Sequence, residues 1–241
     1  MEPRAEEQDR PLRRDLAVIA DKHLPSRHAF FRSLAECSKE RLSDPQLLGE
    51  LLHRYQAAMH ATRAMAYSLP SLDSPELRKR KLRILVDDDG LPGGDTHHYQ
   101  LRRAFIGMGA KPKMDDDCYD DLSTLQTLVD GNTASFIAAV GRLYSSSLGA
   151  WAIVELLSED WMHALADALS VHFPDVVNEP YFAECFREGV EERHGLEALE
   201  LLELICARRP EYTEPTLRDA NEMAGQLTRL WDGLHDLIRE A

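Results

Sequence analysis

Residues 148–172 read LGAWAIVELLSEDWMHALADALSVH. Trp151, Val154, Leu157, Trp161 and Leu165 recur at steps of three and four, the period of an α-helix. This stretch is predicted as an apolar helix, and Glu155 lies inside it, after AWAIV and before LL. A lone buried carboxylate is costly, so Glu155 needs a partner. A metal ion is one candidate. A polar stripe with Glu159 and His163, at four-residue spacing, is the other.

The same periodicity extends both ways along the chain. Toward the N-terminus, Leu16, Ile19, Ala20 and Leu24 make a short helix stopped near Pro25, and Phe30, Phe31 and Leu34 make a second. Asp44-Pro45 is a cap followed by proline at the first helical position, opening a long helix through Leu48, Leu52, Tyr55 and Met59 that ends near Pro70. Ser74-Pro75-Glu76 opens the next helix, GLPGG at 90–94 breaks it, and Asp95 or Thr96 caps another. Residues 111–121 are a polar loop, and a helix over roughly 121–130 follows it. Asn132 or Thr133 caps a further helix through Phe136 and Leu143. Toward the C-terminus, 172–180 is a loop, 180–207 is helical, and 215–240 is an amphipathic helix that covers the bundle or forms a homodimer face. Nothing alternates like a strand and nothing repeats. The expectation is one all-α bundle of seven or eight helices over 15–241, with a frayed charged tail at 1–14.

Among 241 residues, 28 Lys plus Arg face 42 Asp plus Glu, a net charge of −14. This argues against nucleic acid or an anionic membrane as partner, since both need clustered cations. No window is apolar enough to span a bilayer. MEPRAEEQDRPLRRD has no apolar core, so it does not read as a secretory signal. Cys37, Cys118, Cys185 and Cys206 are scattered, which fits reduced thiols in a cytoplasmic protein. Phosphate-binding glycine loops, zinc-protease H-E-x-x-H and G-x-S-x-G are all missing from the sequence.

What remains is E-x-x-H. A carboxylate and an imidazole at i and i+3 share a helix face and can reach one metal, and paired copies build di-iron sites in helix bundles. The chain has Glu50-Leu-Leu-His53 and Glu191-Glu-Arg-His194. Solvated helix faces are the bland alternative. Asp87, Asp88 and Asp89 crowd a helix C-terminus, where a cation would relieve the unfavourable dipole. His97 and His98 follow the glycine break, and His60 lies two turns after His53. The acidic run 115–121 lacks the glycine and terminal glutamate of an EF-hand and reads as a solvated loop.

Residues 28–65 and 84–109 (ILVDDDGLPGGDTHHYQLRRAFIGMGA) resemble the heme-oxygenase-like superfamily, which includes thiaminase-II-like proteins and the oxidase of pyrroloquinoline quinone synthesis. In its di-iron oxidases the second stretch reads roughly N-L-x-E-E-x-G, a gap, then H-x-x-L-x-x-x-F-x-x-x-G. Gly90 sets a register that puts Asp88 on the second Glu and His98 on the His, with Leu101, Phe105 and Gly109 following. Glu155 resembles the mid-chain Glu, and Glu191-x-x-His194 the late Asp-and-His element. The sequence departs from the pattern in having Asp at 88, Glu at 191 and Arg187 where a further His is common.

The resemblance covers residues 28 to about 205. It implies a non-heme enzyme with about two Fe(II) per chain that activates O2. The implied enzyme would oxidise a small amine- or amino-acid-derived substrate, by N-oxygenation or oxidative C–C cleavage in natural-product biosynthesis. One iron would take His98, Asp88 and Glu155. The other would take Glu191, His194 and a first-helix residue, His53 ahead of Glu50 or His60. Asp87 and His97 are the reserve ligands, and Arg187 is a candidate partner for a substrate carboxylate. The alternatives are a metal-free superfamily enzyme, a non-catalytic helical binding protein, a ferritin-like bundle using both E-x-x-H pairs, and heme on His23 or His28.

Overall fold

The computed structural model describes residues 11–67, 74–88, 95–115, 122–183 and 189–240, with Asp88 described in its main chain alone. Eleven α-helices occupy them: α1 (Pro11–Lys22), α2 (Ala29–Glu36), α3 (Lys39–Leu42), α4 (Pro45–Ala66), α5 (Pro75–Asp88), α6 (His97–Gly107), α7 (Leu122–Leu128), α8 (Gly131–Tyr144), α9 (Gly149–Ser170), α10 (Val190–Arg208) and α11 (Thr213–Glu240). Among the described residues there is no strand, so the chain is an all-α bundle. Also among them, no helix is long and apolar enough to cross a membrane.

The count exceeds the expected seven or eight because local capping divides what periodicity joins. The Ser38 hydroxyl accepts the Arg41 N–H and starts the short helix α3 straight after α2. The predicted helix over 180–207 is interrupted at Gly189, whose φ of +58° is left-handed, and α10 starts at the next residue. Asp130 rather than Asn132 or Thr133 caps α8, accepting both of those residues' N–H groups. Helix α1 begins earlier than expected, at Pro11. Leu12 is buried and Arg13 makes a two-pronged bond to Glu203, so 11–14 belong to the bundle. Asp44, Thr96 and Pro75 start their helices as the sequence predicts.

Helix α9 forms the centre, packed by α10, α11, α2 and α8. That is why it is apolar nearly all round, with Trp151, Val154, Leu157, Trp161 and Leu165 all buried. Helix α11 lays Met223, Leu227, Leu230, Trp231, Leu234 and Ile238 across α9, α8, α2 and α1. Its apolar stripe packs on the bundle, the first of the two roles expected for it. Two glycines allow close helix approaches. A Cβ on Gly149 would fall 2.1 Å from the Thr216 carbonyl oxygen on α11. One on Gly195 would fall 3.1 Å from the Glu155 carbonyl oxygen and 3.3 Å from Leu156 Cα. The second glycine lets α10 lie directly on α9 beside Glu155. Cys37 and Cys206 are free thiols, while Cys118 and Cys185 lie outside the described residues.

Candidate metal centre

Where α10 crosses α9, three ligand-type side chains converge. Glu155, Glu191 and His194 each offer an atom within 4.8 Å of the other two, and all three residues are buried, at 9%, 8% and 1% exposure. Two buried carboxylates this close repel each other and have lost their hydration, so the site favours a cation. Two carboxylates and one imidazole are a hard-to-borderline donor set of the kind that suits Fe(II), Mn(II) or Zn(II). The donors present fit the metal that the sequence implies.

Helices α5 and α10 run antiparallel and are clasped by a polar ladder. Arg80 pairs with Glu200 at 3.0 Å, Arg83 with Glu197 at 3.3 Å, and Asp87 Oδ2 lies 3.3 Å from His194 Nε2. Arg193 flanks the same Asp87 oxygen at 3.5 Å. A carboxylate that holds one imidazole nitrogen fixes the ring and leaves the other, Nδ1, to meet a metal. Asp87 therefore positions His194. Asp88, the expected ligand, has its side chain outside the described residues, as do Asp89 and Arg187.

The cluster opens on a cavity of about 50 Å³. At roughly 10–15 Å³ for each water, this holds an ion and a few waters. Glu155, Glu191, His97, Tyr181, Trp161 and Arg63 are in its walls. Tyr181 belongs to a buried phenol pair with Tyr55. The Trp161 Nε1–H donates to Tyr55 Oη at 3.0 Å, and the Tyr55 and Tyr181 hydroxyls bond at 2.9 Å. Burial pushes both phenols up, so they stay protonated and neutral.

The histidine on this cavity is His97 rather than His98. Helix α6 starts at His97 behind the Thr96 cap, and its buried face is His97, Gln100, Leu101, Ala104 and Phe105. His98 is turned about 100° away. It bonds Gln56 Nε2, and its ring lies 5.2 Å from that of His60. Burial, then His60, Arg63 and Arg102, push it down to about 3. The Gly90-based register is thus displaced by one residue at its histidine end, to His97, while the Asp88 side chain at its other end lies outside the described residues.

The first-helix residues do not join the cluster. Helix α4 turns Met59, Thr62, Arg63 and Ala66 to the cavity. His53 instead bonds the Leu128 carbonyl oxygen on α7 at 3.1 Å. Glu50 bridges Arg54 and Lys113. Burial alone would raise the Glu50 carboxyl, but these two cations hold it below its usual value. His23 and His28 have structural partners: His23 Nδ1 lies 3.0 Å from Thr228 Oγ1, and His28 caps α2 while Nε2 pairs with Asp232.

The sequence reading missed Arg63, Tyr55 and Tyr181. For the first two, the spacing of Tyr55, Met59, Thr62 and Ala66 along one face of α4 was the available signal. No protein-family model matches the chain, and comparison with curated proteins finds no significant match.

Proposed function

We propose that this chain is a non-heme iron enzyme that uses O2 to oxidise a small amine- or amino-acid-derived molecule, as its resemblance to the heme-oxygenase-like di-iron oxidases implies. The buried convergence of Glu155, Glu191 and His194 carries this reading. The bound iron would supply the redox chemistry with O2. The protein's own residues bind, orient and exclude water. Glu155 and Glu191 hold the cation from two helices locked together at Gly195. Asp87 keeps His194 in the ligating orientation. Trp161, Tyr55 and Tyr181 form a rigid wall that limits water to the few molecules the cavity admits. A second iron, as in the two-iron relatives, would have to draw on His97, Asp87 and side chains outside the described residues.

A metal-free enzyme built on the same cavity is the second reading. Arg63 favours it, since one guanidinium facing the cavity partly offsets the two carboxylates without any metal. Anaerobic Fe(II) titration separates the two. The iron reading expects at least one tightly bound Fe(II) per chain, with affinity lost in Glu155→Gln. A folded protein that takes up no Fe(II) would establish the metal-free reading instead.

A further inference from the structure

We infer that the ligand of this cavity carries a carboxylate, and that Arg63 is the residue that selects it; the inference rests on the metal reading above. Arg63 is half-buried and lines the cavity that Glu155 and Glu191 line. Two other sheltered arginines are committed to protein carboxylates, Arg13 to Glu203 at 2.8 Å and Arg54 to Glu50 at 2.6 Å, and a third, Arg41, bonds the Ile238 carbonyl. Arg63 makes no ion pair with any described residue.

Charge counting then decides what it is for. Without a metal, Arg63 faces the two carboxylates of Glu155 and Glu191. One divalent ion neutralises both, and Arg63 is then left at a sheltered wall without a carboxylate partner among the described residues. The phenols of Tyr55 and Tyr181 are neutral and cannot balance it. An anionic group on the ligand would pair with it, and a guanidinium fork matches a carboxylate best, through two parallel N–H···O bonds. A cavity of about 50 Å³ admits a compact group, so the carboxylate belongs to a short chain and displaces the resident waters. Metal and carboxylate therefore bind cooperatively, each removing the charge that opposes the other.

The test uses Mn(II), which needs no O2 chemistry, and propionate, with propionamide as its neutral isostere. Paramagnetic broadening of the propionate protons reports occupancy near the metal. Propionate should bind Mn(II)-loaded protein at least about 10-fold more tightly than metal-free protein, and propionamide should show no such gain. Arg63→Gln should bind Mn(II) at least as tightly as wild type, since it removes a cation that opposes the metal, and lose propionate binding at least about 10-fold. Arg63→Lys, which keeps the charge but not the fork, should recover part of it. Circular dichroism and thermal melts check that both variants are folded. Equal propionate binding in wild type and Arg63→Gln, both loaded with Mn(II), would overturn the inference while leaving the metal centre intact. Failure of the wild type to bind Mn(II) would instead sink the metal reading beneath it.

Discussion

The two E-x-x-H motifs are identical as sequence patterns and opposite in fate. Glu50 and His53 lie on the side of α4 that faces α7 and the 111–115 segment, where Lys113, Arg54 and the Leu128 carbonyl meet them. Glu191 and His194 lie where α10 presses on α9, and a third carboxylate, Glu155, meets them there. In the first motif, protein cations and a backbone acceptor have already satisfied the ligand-type groups. In the second, two carboxylates are buried together. The i, i+3 spacing supplies the reach, and the facing helix decides whether the pair is satisfied by the protein or meets a third ligand-type group.

The largest expected effect comes from exchanging the two histidines' fates. His194→Ala should lose roughly 100-fold or more in Fe(II) or Mn(II) affinity, since even a supporting residue around a metal typically costs 10–100-fold. His53→Ala should leave metal affinity unchanged. It should lower unfolding stability by roughly 1–3 kcal/mol, because the Leu128 carbonyl loses its donor and a cavity opens. Titration calorimetry and urea unfolding read the two quantities separately. Should His53→Ala abolish metal binding, the distinction between the motifs collapses.

Asp87→Asn tests the positioning half of the second motif. The amide keeps the shape and loses the charge that orients His194. Metal affinity should fall about 10-fold, less than in His194→Ala, with stability nearly unchanged because Asp87 is half-exposed. An Asp87→Asn variant that binds metal like wild type would remove Asp87 from the site.

Much of the architecture was readable in the sequence because it rests on local chemistry. Asp44-Pro45 and Pro75 start helices on their own authority, and the Trp151–Leu165 periodicity marks a helix buried on several sides. The breaks at Ser38 and Gly189 were hidden, since each turns on one residue's backbone choice inside an otherwise helical pattern. Glu155, Glu191 and His194 were each visible as ligand types in helices, and the family resemblance implied that they share one metal centre, but the residues' own spacing did not place them together. Their meeting depends on the crossing at Gly195 and on the register of the ladder Arg80–Glu200, Arg83–Glu197 and Asp87–His194, which no local pattern encodes. Spacing alone could not separate His97 from His98, since His97 is in step with Leu101 and Ala104 and His98 with Leu101 and Phe105.

Gly195→Ala should act on the second motif through the backbone. The new Cβ would press on the Glu155 carbonyl and Leu156 Cα at 3.1 and 3.3 Å, atoms of a helix that cannot swing aside. Opening the crossing by a few tenths of an ångström should cost roughly 1–2 kcal/mol, despite alanine's better helix propensity. It should also weaken metal binding by a few-fold as Glu155 and His194 separate. A stabilised Gly195→Ala protein with normal metal affinity would show that the crossing has slack.

The smallest effect is expected from pH, and it belongs to the first motif and its neighbours. Burial pushes His53 down despite its bond to Leu128, and pushes His98 down to about 3. His23 and His28 are lowered too, again mainly by burial. A histidine depressed in the folded state contributes stability that is present above its unfolded value, about 6.5, and lost as the pH falls toward the folded one. Unfolding should therefore take up protons, and the metal-free protein's urea midpoint should fall steadily from pH 7 to pH 5. His98→Gln should flatten this slope most, because its folded value lies furthest below 6.5, and His53→Gln should flatten it less. A midpoint that is level between pH 5 and 7 would mean that these imidazoles reach water in the folded state, and with it the dry setting of the first motif would be lost.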